Sequence, residues 1–182
     1  MRVLVGCEFS GIVRDAFRAA GHDAWSCDVL PTERPGPHLE ADVRAVMGQG
    51  WDLLIAFPPC TYLCRSGARW WPGREDLQAH AIGFVLQLYG STVPRVAIEN
   101  PIGRLSGVWR KPDQIIQPWQ FGVPERKATC LWLKGLPALQ PTEIVAGRVP
   151  RVHFAAPGPE RWRERSRTLP ELAAAMAAQW GS

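Results

Sequence analysis

Four short apolar runs, set between stretches of helical periodicity and turn-forming residues, constrain the fold of this chain more than any other feature. RVLVG (Arg2–Gly6), DAWSC (23–27), WDLLIAF (51–57) and RVAIEN (95–100) all have strand length. WDLLIAF shows no apolar/polar alternation, the pattern of a strand covered on both faces. Residues 11–20 read as a helix, and Glu75–Tyr89 sets Leu77, Ala81, Phe84, Val85 and Leu88 at helical spacing. Strands alternating with helices predict an α/β fold with a mostly parallel sheet. Further on, QIIQPWQFG and KATCLWLKG predict an antiparallel pair closing that sheet, and residues 136–163, rich in proline, glycine and arginine, predict a loop. Thr168 and Glu171 have capping-box spacing ahead of LAAAMAAQW, whose apolar face is set by Leu172, Met176 and Trp180.

The length of 182 residues suits one domain, 1–182, with one core. No run approaches the ~20 apolar residues of a membrane helix, so no membrane partner is expected. The start, MRVLVGCEFSG, is too briefly apolar for a secretory signal, which predicts a cytoplasmic protein. Its five cysteines, odd in number and irregular in spacing, predict free thiols. Cys60, Cys64 and Cys130 lack a second ligand pair at zinc-like spacing, so no metal is predicted. Charge is uneven: residues 1–102 hold 9 Lys/Arg and 11 Asp/Glu, and 103–182 hold 12 and 6, or −2 against +6. A basic C-terminal part suits contact with phosphates.

In open α/β sheets ligands bind beyond the carboxyl ends of the strands. At those ends lie CEFSG after the first run, Asp28 after the second, PPC after the third, and Glu99, Asn100 and Pro101 after the fourth. A thiol and a carboxyl group thus converge on one rim. Residues 6–11 contain neither GxGxxG nor a P-loop, which removes support for dinucleotide and nucleoside triphosphate sites.

The order EFSG, acidic residue, PPC, EN and a basic stretch before a strand resembles that of the DNA cytosine C5 methyltransferases. The resemblance implies a Rossmann-like methyltransferase fold and S-adenosylmethionine as cofactor. It implies Cys60 as a nucleophile adding to cytosine C6, stiffened by Pro58 and Pro59, and Glu99 as the acid that protonates N3. The turn Glu8, Phe9, Ser10, Gly11 would wrap the methyl donor, with Pro58 nearby, Asp28 on the ribose hydroxyls and Asp42 near the adenine amino group. Pro59 and Asn100 would face the base, and Arg126 and Lys127, in ERKAT, approximate the family's basic motif. The loop CRSGARWWPGR follows the nucleophile, and there Arg65 and Arg69 would contact phosphates beside Trp70 and Trp71.

The chain departs from the family at Thr61, where Gln or Asn is usual, and at Pro101, where Val is usual. Only about thirty residues stand where sequence-specific members carry a sizeable target recognition domain. A DNA substrate of short specificity, a free cytosine nucleotide, a partner subunit that supplies recognition, and a binding module without turnover all remain open. Methylation of an exocyclic amino group is less consistent, because Phe57 stands where a hydrogen-bond acceptor is needed.

Overall fold

The computed structural model of the chain describes residues 1–150, 158 and 161–182. A seven-stranded sheet has the order β3-β2-β1-β4-β5-β7-β6. Its strands are β1 (Arg2–Gly6), β2 (Asp23–Asp28), β3 (His38–Glu40), β4 (Leu53–Ala56), β5 (Arg95–Pro101), β6 (Gln114–Ile116) and β7 (Thr129–Lys134). The first five are parallel, and β7 runs antiparallel between β5 and β6. The helices are α1 (Ile12–Ala19), α2 (Val43–Val46), α3 (Glu75–Tyr89), α4 (Leu105–Val108), α5 (Arg161–Ser166) and α6 (Pro170–Trp180).

Strand side chains alternate between two apolar layers, as a period of two requires. Val3, Val5, Leu53, Ile55, Ala97 and Leu131 pack with α1 and α6, through Phe17, Met176 and Trp180. Leu4, Leu54, Val96, Ile98 and Trp132 pack with α3 on the other face, through Val85 and Leu88. Both faces of the central strands are therefore covered, which explains the unbroken apolar run. Each fully buried Leu, Ile or Val there contributes roughly 1.5–3 kcal/mol.

Several sequence expectations are corrected. β6 is only three residues long, because Pro118 opens a 3₁₀ turn that ends the pairing. The expected capping box at Thr168 is not formed: the N-cap is Leu169, with no side-chain bond, and Pro170 occupies the first turn. A proline there loses no intrahelical bond, so no cap is needed to start the helix. β3 and α2 were not expected, since three and four residues leave no periodicity to read. Of the predicted loop 136–163, residues 136–150 are irregular, 151–157 and 159–160 lie outside the described residues, and 161–163 open α5. Among the described residues no helix is long and apolar enough to cross a membrane.

The chain leaves β1 toward β2 on one side and β4 toward β5 on the other, so the switch in strand order falls between β1 and β4. In open α/β sheets the loops on either side of such a switch diverge and leave a crevice at the carboxyl edge.

Candidate active site

Beyond the ends of β4 and β5 lies a cavity of about 750 Å³. Pro58, Pro59, Cys60 and Arg65 line it from the β4 side, Glu99 from β5, and Arg126 and Lys127 from the approach to β7. Seven residues singled out in the sequence thus share one cavity.

The loop that carries Cys60 is held at three places. The amide of Phe57 donates to the Gly6 carbonyl at 3.0 Å, which fixes the chain as it leaves the sheet. The Cys60 carbonyl then accepts from Leu63 and Cys64, both at 2.9 Å, closing one helical turn. Residues four apart on such a turn share a face, so Cys64 stands beside Cys60. Finally, Arg65 N donates to Ile102 O at 3.0 Å and Arg104 N to Leu63 O at 2.7 Å. Gly103 permits this approach, because a β-carbon there would overlap the Leu63 carbonyl.

Asn100 does not line the cavity. It is 1% exposed, and its side-chain amide donates to the Pro58 carbonyl at 2.8 Å, joining the end of β5 to the PPC loop. Its own carbonyl oxygen is buried without a partner. The sequence expectation that Asn100 faces a substrate is replaced by a bracing contact between the thiol and carboxyl loops.

Burial raises the Glu99 carboxyl above its ordinary range, and the Lys127 charge and a hydrogen bond with Thr129 oppose this. Thr129 pairs with Pro101 in the β5–β7 ladder and so reaches the same sheet face, diagonal to Glu99. The Cys60 thiol is pushed up to about 11 by burial, with Cys64 and Glu99 adding to the effect. At neutral pH the thiol is therefore protonated, and burial shifts the neighbouring carboxyl toward its protonated form.

α5 closes the cavity. Trp162 lies 5.7 Å from Phe9 between ring centroids, and the Lys127 ammonium donates to the Arg165 carbonyl at 2.9 Å. Arg167 grips Glu33 with two bonds of 2.9 and 2.7 Å. Trp162, Arg165 and Arg167 all line the cavity, as does Thr129, and sequence reading had assigned none of them. The alternating arginines of RWRERSR were the available signal.

The proposed cofactor turn is built differently from its expectation. The Glu8 carboxylate is buried and accepts from Val13 N at 2.8 Å, Arg14 N at 3.4 Å and the Ser10 hydroxyl at 3.1 Å. Glu8 and Ser10 thus cap α1, and Phe9 is buried beneath Trp162. Gly11 (φ 72°) takes the left-handed region without cost, whereas Cys7 (φ 56°) does so with a side chain, strain of the kind found at functional sites. Asp28 is half-buried and uses one oxygen on Leu30 N at 3.0 Å; the neighbouring Val29 is 70% exposed. Neither Asp28 nor residues 8–11 line the cavity that holds Cys60 and Glu99, so a ribose and ring held at this open edge would lie beside it, across the Phe9–Trp162 contact. Asp42 instead caps α2 and pairs with Arg44, so both its oxygens are engaged. Arg69 also departs from expectation: it stacks over Trp70 at 4.8 Å and does not line the cavity.

Arg14 supports the region from below. Fully buried, it bonds Asp15, Ser26, Thr32 and the Arg34 and Pro35 carbonyls, pinning the loop after β2. Among the described residues no group of three His, Cys, Asp or Glu could hold a metal ion.

No family model and no curated protein matches the sequence. Solved structures do match in shape. S. pombe Dnmt2 methyltransferase aligns with a TM-score of 0.53 at 16% identity, over 88% of this chain and 57% of that one. A Spodoptera frugiperda DNMT2 triple mutant gives 0.47 at 16%, over 80% and 54%. A prophage-encoded candidate DNA modification methyltransferase of E. coli gives 0.49 at 14%, over 86% and 55%. The chain spans little more than half the length of these structures, and its fold is the Rossmann-like methyltransferase fold.

Proposed function

We propose that this chain is an S-adenosylmethionine-dependent methyltransferase acting on C5 of cytosine in DNA through a single catalytic domain. The observation that carries this reading is that Cys60 and Glu99, from the ends of adjacent parallel strands, line one cavity beside the strand-order switch.

Cytosine C5 is a poor nucleophile until the ring is activated. Cys60 gives its thiol proton to water and adds as thiolate to C6, while the Glu99 carboxyl, whose hold on a proton burial strengthens, protonates N3. The base becomes an enamine whose C5 carries the electron pair. S-adenosylmethionine supplies an electrophilic methyl group when bound. Water takes the C5 proton, N3 returns its proton to Glu99, and elimination of Cys60 as thiolate restores the aromatic ring. Lys127 acts beside Glu99 by limiting how far its carboxyl is raised, so that the proton can leave. Asp28 and the backbone of residues 9–11 would hold the cofactor; Glu8 and Ser10 serve by shaping that backbone.

Replacing Cys60 by Ala should abolish tritium transfer from labelled S-adenosylmethionine to cytosine in DNA. DNA containing 5-fluorocytosine should trap the intact chain covalently, because the fluorine cannot leave as a cation. Transfer that survives Cys60→Ala would reject the mechanism. Binding without any trapping would favour a module without turnover.

A further inference from the structure

Resting on the reading above, we propose that the mouth of this cavity binds single-stranded DNA on either side of the target base, by stacking on Trp70 and Trp162 and by phosphate contacts to Arg65, Arg126 and Arg165. Three observations point to this.

The first is the rim's charge. Arg65, Arg126 and Arg165 line the cavity, and none forms a salt bridge with a carboxylate among the described residues. Among the described residues Glu99 is the one carboxylate in the lining. Three arginines spread over three separate segments exceed what one nucleotide phosphate engages. A chain with a phosphate at every residue can meet them all.

The second is exposed aromatic surface. Trp70 is 57% exposed and Trp162 50% exposed, yet both line the cavity. Each has a guanidinium over its ring, Arg69 at 4.8 Å and Arg163 at 5.4 Å. Large indoles left half in water beside a cationic groove form the stacking platform on which unpaired bases bind without sequence preference.

The third is what the fold places between β7 and α5. Among the described residues that interval holds no helix or strand to enter a duplex groove. Extracting a base from a duplex also costs unpairing and unstacking, which a single strand does not require.

The test uses the full chain carrying Cys60→Ser, without cofactor, and a fluorescein-labelled twelve-nucleotide DNA containing one cytosine, followed by anisotropy. The single strand should bind more tightly than its duplex, and dCMP in 100-fold excess should not displace it. The dependence of log affinity on log salt should have a slope of about −2, from three arginines at about 0.7 each. Raising salt from 50 to 200 mM then weakens binding about 20-fold. Arg126→Gln or Arg165→Gln should each lower the slope by about 0.7. Trp70→Ala and Trp162→Ala should each weaken binding at least about fivefold, with Phe at either position restoring most of it. Circular dichroism verifies that these exposed substitutions leave the fold intact.

Tighter binding of duplex, displacement by dCMP, preference for an oligoribonucleotide, or unchanged binding by both alanine variants would each overturn the proposal. Methyl transfer by the intact chain to duplex or dCMP would do so too, while leaving the methyltransferase reading standing.

Discussion

Replacing Asn100 by Ala should uncouple activity from stability, because the Asn100 side chain bonds the loop that carries Cys60 and does not line the cavity. Its bond to the Pro58 carbonyl is 2.8 Å long and buried. Leaving that carbonyl unsatisfied costs about 1–3 kcal/mol. The same substitution removes the buried, unpartnered Asn100 oxygen, which already carries a desolvation cost of similar size. The two largely cancel, so net stability should fall by about 1 kcal/mol, or roughly 2–4 °C in Tm for a chain of this size. Activity has no such offset. Freed from β5, the Pro58–Cys60 segment can shift relative to Glu99, and a displacement of about 1 Å costs on the order of 100-fold in rate. Tritium transfer at saturating cofactor should therefore drop about two decades while the thermal transition moves only a few degrees. Asn100→Asp, with a carboxylate against the Pro58 carbonyl, should lose at least as much rate. Iodoacetamide provides a readout independent of turnover, since a loosened loop exposes the half-buried Cys60 and speeds its alkylation. Full activity in Asn100→Ala, or a rate loss matched by the unfolded fraction, would refute the bracing role.

Other consequences can be measured directly. With its thiol pushed up to about 11, Cys60 should alkylate about tenfold faster for each pH unit between 7 and 10, and a plateau below pH 9 would contradict the burial argument. Gly103→Ala should move the urea midpoint by the equivalent of about 1–3 kcal/mol, because the new methyl group must displace the Leu63 backbone. The Asp113 carboxyl is held below its ordinary value by Arg110, at 2.7 and 2.9 Å, and by Leu133 N. A depressed folded pKa contributes stability above the unfolded value of 3.8, lost as pH falls through the folded value. The Tm gap between the parent and Asp113→Asn should be about 2–4 °C at pH 6, for roughly 1 kcal/mol in this partly exposed pair, and should close below pH 4.

Much of the architecture was legible in the sequence because its signals are local. An apolar run without alternation identified β4, and helical spacing identified Glu75–Tyr89 to the residue. The alternation of the two kinds of element predicts a mostly parallel sheet, and in such a sheet the short motifs at strand ends fall on one rim. That Cys60 and Glu99 follow adjacent strands on one edge comes from that topology; the cavity they line does not.

Tertiary structure decided what depends on side chains meeting across long stretches of chain. Asn100 reaches Pro58 over 42 positions, and Arg167 reaches Glu33 over 134. Glu8 could be read as a cofactor ligand until the start of α1 was seen to consume its oxygens. The sequence of RWRERSR shows its charge but not that α5 closes the cavity with it. Backbone periodicity repeats within a few residues and can be read from a string; a particular hydrogen bond between distant segments exists only once packing has brought its two atoms within 3 Å.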